Sequence, residues 1–179
     1  KGAMPQAGLN DAYIVYEIIV EGGETRLMAL FKGLSLDKIG PVRSSRHYFL
    51  DYALENDAIY VHHGWSPQAQ SDISKLGVNN INGIQESSKD FWRVKDKSSP
   101  HNMFTTTESI LKIAKRKGYE TTSSKESVLN YVAEEFNLSD ENAMAATNVT
   151  IPHSTLQTVK YEYNEEKLIK EIKKLNCLN

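Results

Sequence analysis

One cysteine in 179 residues, Cys177 near the C-terminal end, excludes an intrachain disulfide and any zinc centre built on several thiolates. Charge of one sign is equally scarce: 21 lysines and arginines face 23 aspartates and glutamates, for a formal net charge of -2. Proteins that neutralise nucleic-acid phosphates gather a basic excess on one face, so nucleic acid is not an expected partner. Long apolar runs are missing too. The longest, Ala12 to Val20, is interrupted by Glu17 and is far shorter than the about 20 residues a membrane-spanning helix needs. No charged-then-apolar leader precedes it, and no repeat with a period of roughly 20 to 50 residues is visible. The chain opens on Lys1, with Met4-Pro5 soon after, which reads as a processed product or a fragment.

What remains is ordinary globular composition, 40% apolar and 25% charged, in a length sufficient for one well-buried core. Ala12 to Val20 is rich in β-branched residues and tyrosine, and Gly22-Gly23 separates it from Leu27 to Phe31, so a strand, a turn and a strand are predicted. Gly33 to Gly40 reads as a loop and Pro41-Val42 as extended. Ser44 and Ser45 stand as N-caps for a helix with Tyr48, Phe49, Tyr52 and Ala53 on one face. Ala58 to His62 is a short strand, and Gly64-Trp65-Ser66-Pro67 turns into a helix capped by Ser66, with Pro67 in its first position and Leu76-Gly77 at its end. Asn79 to Ser99 reads as an ordered loop pinned by the rings of Phe91 and Trp92. A helix over Thr107 to Lys117 carries Ile110, Leu111 and Ala114 at helical spacing and stops at Gly118.

Thr121 to Lys125 is a linker candidate, followed by a short helix over Val128 to Phe136 and a polar stretch over Asn137 to Asn142. Thr147 to Pro152 and Thr155 to Tyr163 have strand chemistry, and Glu165 to Leu175 is amphipathic, with Leu168, Ile169, Ile172 and Leu175 on one stripe. The fold class expected is α/β, with α+β as its variant: a mixed β-sheet flanked by helices. A single main domain would span residues 1–163, with an amphipathic tail over 164–179.

Several stretches together carry a family likeness: Pro5-Gln6-Ala7-Gly8-Leu9, Asp11 to Glu17, Val20 to Arg26, Lys38 to Arg46, Tyr60-Val61-His62-His63-Gly64, Phe91-Trp92-Arg93 and Pro100-His101-Asn102. From about Met4 to Tyr163 the chain resembles the YerB-like family of bacterial lipoproteins, defined by a domain of unknown function. The resemblance implies export and attachment to the outer face of the cytoplasmic membrane through a lipidated cysteine upstream of this chain. It also implies a β-rich second part after Tyr161-Glu162-Tyr163, where this chain instead turns lysine-rich. It implies no activity.

The site is therefore argued from residues. Gly40-Pro41-Val42-Arg43-Ser44-Ser45-Arg46 puts two guanidinium forks at a turn leading into a helix start, which suits phosphate or carboxylate. The competing reading is that Arg43 and Arg46 pair with Asp51, Glu55 or Glu17 and only orient the helix. Arg26 and Arg93 belong to other resembling stretches and are candidates for the same place. His62, His63 and His101 offer ligand contacts or acid-base chemistry, against a plain hydrogen-bonding role. Neighbours on a strand point to opposite faces, so His62 and His63 do not share a metal ion, and no metal site is expected. His47 and His153 have no supporting context.

Gly64-Trp65-Ser66 lacks the second glycine of a nucleophile elbow, and Gly33 to Gly40 lacks the ending of a phosphate loop. The expectation is a surface-exposed binding domain taking an anionic cell-envelope component through Arg26, Arg43, Ser44, Arg46, His62, His63, Arg93 and His101, without a cofactor. Membrane contact comes only through the upstream anchor. The alternatives are a phosphotransferase-like enzyme on pyrophosphate-linked lipids or glycopolymers, with Mg2+ held by Asp11, Glu17 or Glu21, and a protein-protein interaction module presenting Trp65, Phe91 or Trp92.

Overall fold

The computed structural model describes residues 2–127, 129, 146–155, 157–164 and 167–174. The helix expected over Val128 to Phe136 and the polar stretch Asn137 to Asn142 lie outside the described residues, apart from the exposed Leu129. Helices and strands are mixed, as expected, but among the described residues the strands divide among four small sheets of two or three strands each. Two compact units result. The first comprises Lys1–Val15 with Ala29–Asn130, and the second Tyr16–Met28 with Tyr131–Asn179.

Strands β1 (Ile14–Ile19) and β2 (Thr25–Leu30) form the expected hairpin, whose ends are closed by Tyr13 N donating to Leu30 O at 3.0 Å and Val20 N to Glu24 O at 2.8 Å. Gly22 and Gly23, at φ 73° and 70°, supply two left-handed residues in the turn between them.

In the first unit the chain after the hairpin crosses Ile39 to Ser45 in extended form, and this segment organises what surrounds it. On one side Ile39 and Thr105 exchange backbone hydrogen bonds and Val42 N donates to Met103 O. On the other, Ser45 forms a parallel bridge with Trp65, Ser45 N donates to Gly64 O, and His63 N donates to Arg43 O. Strand β3 (Tyr60–His62) pairs in parallel with β4 (Asn80–Asn82), and α2 (Pro67–Leu76) makes the crossover between them. Strands β5 (Trp92–Arg93) and β6 (Met103–Phe104) pair antiparallel. The loop expected over Asn79 to Ser99 thus contains two strands. They are too short for any periodicity to reveal, and neither is joined to its partner by a tight turn.

Helix α2 begins as its sequence dictates: Ser66 Oγ accepts from Ala69 N at 3.2 Å, Pro67 occupies the first turn, and Gly77 closes it at φ 66°. Helix α3 (Thr107–Lys117) is capped by Thr106, whose Oγ1 accepts from Ser109 N at 2.9 Å, and ends at Gly118. Its buried face is Ile113 and Ala114, packed with Ile81, Phe91 and Met103, while Leu111 is exposed and Ile110 only borders the cluster. Burying an isoleucine side chain fully is worth about 1.5–3 kcal/mol, and Ile81 and Ile113 are both fully enclosed. Asp90 is buried at the edge of this core, where a hydrogen bond from Lys112 holds its carboxyl below the usual carboxylate range against the opposing effect of burial.

The helix expected after Ser44-Ser45 starts later and differently. A 3-10 turn, His47–Phe49, leads into α1 (Leu50–Glu55), and Arg46, not a serine, occupies the N-cap position without a capping bond. The buried face is Phe49, Leu50 and Ala53, while Tyr48 and Tyr52 are half-buried. Ser45 is held in the extended segment by the Trp65 bridge, so neither serine can act as a cap.

In the second unit β7 (Asn148–Pro152), β8 (Gln157–Asn164) and β9 (Lys167–Lys174) form an antiparallel meander, with Val149 opposite Tyr161 and Val159 opposite Ile172. The amphipathic stretch from Glu165 is therefore extended where it is described: pairing with β8 decides its conformation, not the spacing of its apolar residues. Gln157, almost fully buried, ties β8 to the hairpin, its Oε1 accepting from Thr25 N and its Nε2 donating to Thr25 Oγ1. Ser154 Oγ donates to Gly23 O at 2.6 Å beside it. Among the described residues no helix is long and apolar enough to cross a membrane.

Candidate functional site

The extended segment positions the arginine motif. Arg43 Nη1 donates to His101 Nδ1 at 2.7 Å, and Arg43 O accepts from His63 N at 2.9 Å. A guanidinium only donates, so His101 must present a lone pair at Nδ1 and carry its proton on Nε2. Next to His101, Asn102 Oδ1 accepts from Arg93 Nη1 at 2.6 Å, and Asn102 Nδ2 reaches Val94 O. Burial first, and then the neighbouring Arg93 charge, hold the pKa of His63 below its ordinary value. Arg43 and His101 are thus joined directly, Arg93 is bonded to the residue after His101, and the Arg93 charge acts on His63.

Arg46 turns back on its own segment: Nη1 reaches Ser45 O at 2.9 Å and Ser44 Oγ at 3.3 Å. Ser45 N–H is consumed by Gly64 O, so that donor is not available to a ligand. Recognition here would rest on side chains. Arg26 lies half-buried on β2 in the second unit. Glu17, invoked above both as a partner of the arginines and as a magnesium ligand, accepts from Thr25 Oγ1 at 2.7 Å and stands 3.8 Å from His153 Nε2, within that same unit. The sequence offered no context for His153. Asp11 is exposed in the 3-10 turn Leu9–Asp11, and Asp51 and Glu55 are exposed on α1.

His62 plays a different part from His63, as alternation along β3 requires. It is 1% exposed, with Nδ1 2.8 Å from Gly64 O and Nε2 3.2 Å from Asn80 Oδ1, and its ring packs against those of Tyr60 and Trp65. Nδ1 donates to the Gly64 carbonyl. Burial pushes its pKa below the ordinary histidine value, against the opposing pull of the Gly64 and Asn80 oxygens. A folded-state pKa below the unfolded one makes a stability contribution that is full above about pH 6.5 and is lost as pH falls through the folded pKa. His63 acts with the same sign. The melting temperature is thus expected to fall between pH 7 and pH 5, and the His62→Gln variant to show a shallower slope over that window. Parallel slopes for the two proteins would dismiss His62 as the source.

Residues the sequence reading missed also frame the place. Asn82, 2% exposed, accepts at Oδ1 from Gly64 N at 2.9 Å and from Ile84 N at 3.2 Å, fixing the turn after His63. Asn102 holds Arg93. Of the aromatics proposed for a protein-binding patch, Phe91 belongs to the core, while Trp65 and Trp92 are half-buried.

Residues 1–120 match the family described as "Protein of unknown function (DUF3048) N-terminal domain". Over 167 residues the chain is 36% identical to the protein named "Putative lipoprotein YerB" of Bacillus subtilis (strain 168), an alignment covering 92% of this chain and 49% of that relative. Its fold is similar to the crystal structure of the YerB protein from Bacillus subtilis, with a TM-score of 0.81 and 32% identity over 96% of this chain and 57% of the other. The chain spans about half the length of the curated relative it matches.

Proposed function

The chain belongs to the DUF3048 family of YerB-like proteins, and from that premise we propose that it is an extracytoplasmic binding domain of a membrane-anchored lipoprotein, taking an anionic cell-envelope component. The observation that supports this reading is the contact of Arg43 Nη1 with His101 Nδ1 at 2.7 Å, with Arg93 bonded to the neighbouring Asn102 and its charge acting on His63. Two guanidinium groups supply donors matched to phosphate or carboxylate oxygens. Two imidazoles add further donors, and an arriving anion would favour protonation of His63, whose charged form burial and Arg93 disfavour. The ligand would thus bind more tightly below neutrality.

Inorganic pyrophosphate is the probe. At ten times its dissociation constant, binding to the native state adds about 1.4 kcal/mol, a rise of roughly 3–5 °C in melting temperature. The rise is expected to vanish in Arg43→Ala and to shrink in Arg93→Ala, with the near-ultraviolet circular dichroism of both variants unchanged. A rise of equal size in folded Arg43→Ala protein, or none in the parent at any concentration up to saturation with salt-matched controls, would sink the reading.

A further inference from the structure

We infer that a second copy of this chain pairs with strand β7, antiparallel and about a two-fold axis at Thr150, so that two three-stranded sheets become one. β7 ends the order β7-β8-β9, and among the described residues no strand pairs with its outer side. All five of its residues, Asn148 to Pro152, are exposed. Tyr163 N donates to Thr147 O at 2.8 Å and His153 N to Gln157 O at 3.0 Å, in the same register that sets Val149 opposite Tyr161. Backbone groups alternate along an antiparallel strand, so Thr147, Val149, Ile151 and His153 turn theirs toward β8, and Asn148, Thr150 and Pro152 turn theirs outward. The outer edge therefore presents the N–H groups of Asn148 and Thr150 and the carbonyls of all three, because proline has no N–H.

That pattern suits a copy of itself. With Thr150 opposite the partner's Thr150, the two exchange N–H to carbonyl bonds, and each Asn148 N donates to the Pro152 carbonyl across the axis. Every outward donor of β7 is then bonded. On the apolar face Val149 and Ile151, 41% and 39% exposed, stand opposite the partner's Ile151 and the partner's Val149, in the non-hydrogen-bonded pairs where side chains approach closest. Charge favours this edge over the other. No lysine, arginine, aspartate or glutamate occurs between Glu141 and Lys160, whereas β9 carries Lys167, Lys170, Lys173 and Lys174 beside Glu171. Lysines are a means by which sheet edges resist pairing, and β7 has none. Lys160, opposite Thr150 on β8, would be three strand spacings from its counterpart, about 14 Å, beyond the Debye length of about 8 Å at physiological salt.

Sedimentation velocity of the whole chain at concentrations up to about 0.5 mM is expected to show monomer and dimer in equilibrium, with a dissociation constant on the order of 100 μM for so small an interface. Thr150→Lys sets like charges opposite each other and beside Lys160, and is expected to weaken the dimer about fivefold or more. Ser124→Lys adds the same charge at an exposed position outside the sheet and should leave the dimer unchanged. Residue 150 faces its counterpart only in the two-fold register, so fluorescently labelled Thr150→Lys protein should recover its dimer when unlabelled Thr150→Glu protein is added. Equal dimerisation of parent and folded Thr150→Lys protein, no recovery with Thr150→Glu, or growth into open-ended assemblies would each overturn the inference. A parent that stays monomeric over the whole range would overturn it too, and leave the edge to a strand from a different protein.

Discussion

Gly40→Ala is expected to lose about 3 kcal/mol or more of unfolding free energy, enough to lower the melting temperature by roughly 6–12 °C. Gly40 sits at φ 148°, where a side chain is strained, and a Cβ there would lie 2.7 Å from Phe104 Cδ1 and 2.8 Å from Met103 O. Neither neighbour can give way cheaply. Phe104 is 1% exposed, and Met103 O accepts from Val42 N at 2.8 Å. Gly40 itself is held on its other side by paired backbone bonds with Ala7, at 2.8 and 3.2 Å. The strain would fall on the segment that delivers Arg43, so binding and stability should fail together. Gly33→Ala is the matched control: its φ is also positive, at 66°, but nothing lies within 4 Å of its added Cβ. Its cost should be about 1 kcal/mol. Urea unfolding that puts Gly40→Ala within 1 kcal/mol of the parent would show that the close approach is not a constraint.

Asn82→Ala is expected to cost about 2–3 kcal/mol, a large effect for removing one amide. Its Oδ1 accepts from two backbone N–H groups, Gly64 and Ile84, at a position 2% exposed. Leaving a buried donor without an acceptor costs more than a hydrogen bond contributes. The N–H of Gly64 is the more enclosed of the two, since Gly64 is buried. The exposed Asn148, on β7, is the comparison, and its alanine variant should stay within about 0.5 kcal/mol of the parent. If Asn82→Ala unfolds in urea at the parent's midpoint and slope, water or a local shift replaces the lost acceptor and the account of this turn is wrong.

The fold was legible in the sequence wherever a signal acts over a few residues. Ser66-Pro67 and Gly77 bound α2, and Gly118 stops α3, because caps satisfy end groups within the same turn of chain. Gly22-Gly23 between two β-branched runs likewise specified the hairpin. The arginines and histidines of the site were recognisable as chemistry, but their grouping was not. Arg43 meets His101 across 58 positions, and Arg26 belongs to the other unit. Ser44 and Ser45 have the composition of caps and yet lie in an extended segment, since Trp65 offers Ser45 a bridge that no local pattern announces. The stretch from Lys167 to Lys174 has a helical spacing of apolar residues and yet pairs with β8.

By itself the sequence determined the mixed helix-and-strand class, the ends of two helices, the hairpin and the family, all of which are written in short-range chemistry or in an ordered run of motifs. The tertiary structure alone decided that Ile39 to Ser45 is the shared partner of two sheet fragments, that Asn82 holds the turn after His63, and that Asn102 holds Arg93. Those outcomes depend on backbone donors and acceptors, and on close packing, between residues tens of positions apart. A strand's hydrogen bonds must be completed by another segment, so its place is fixed only when that segment arrives.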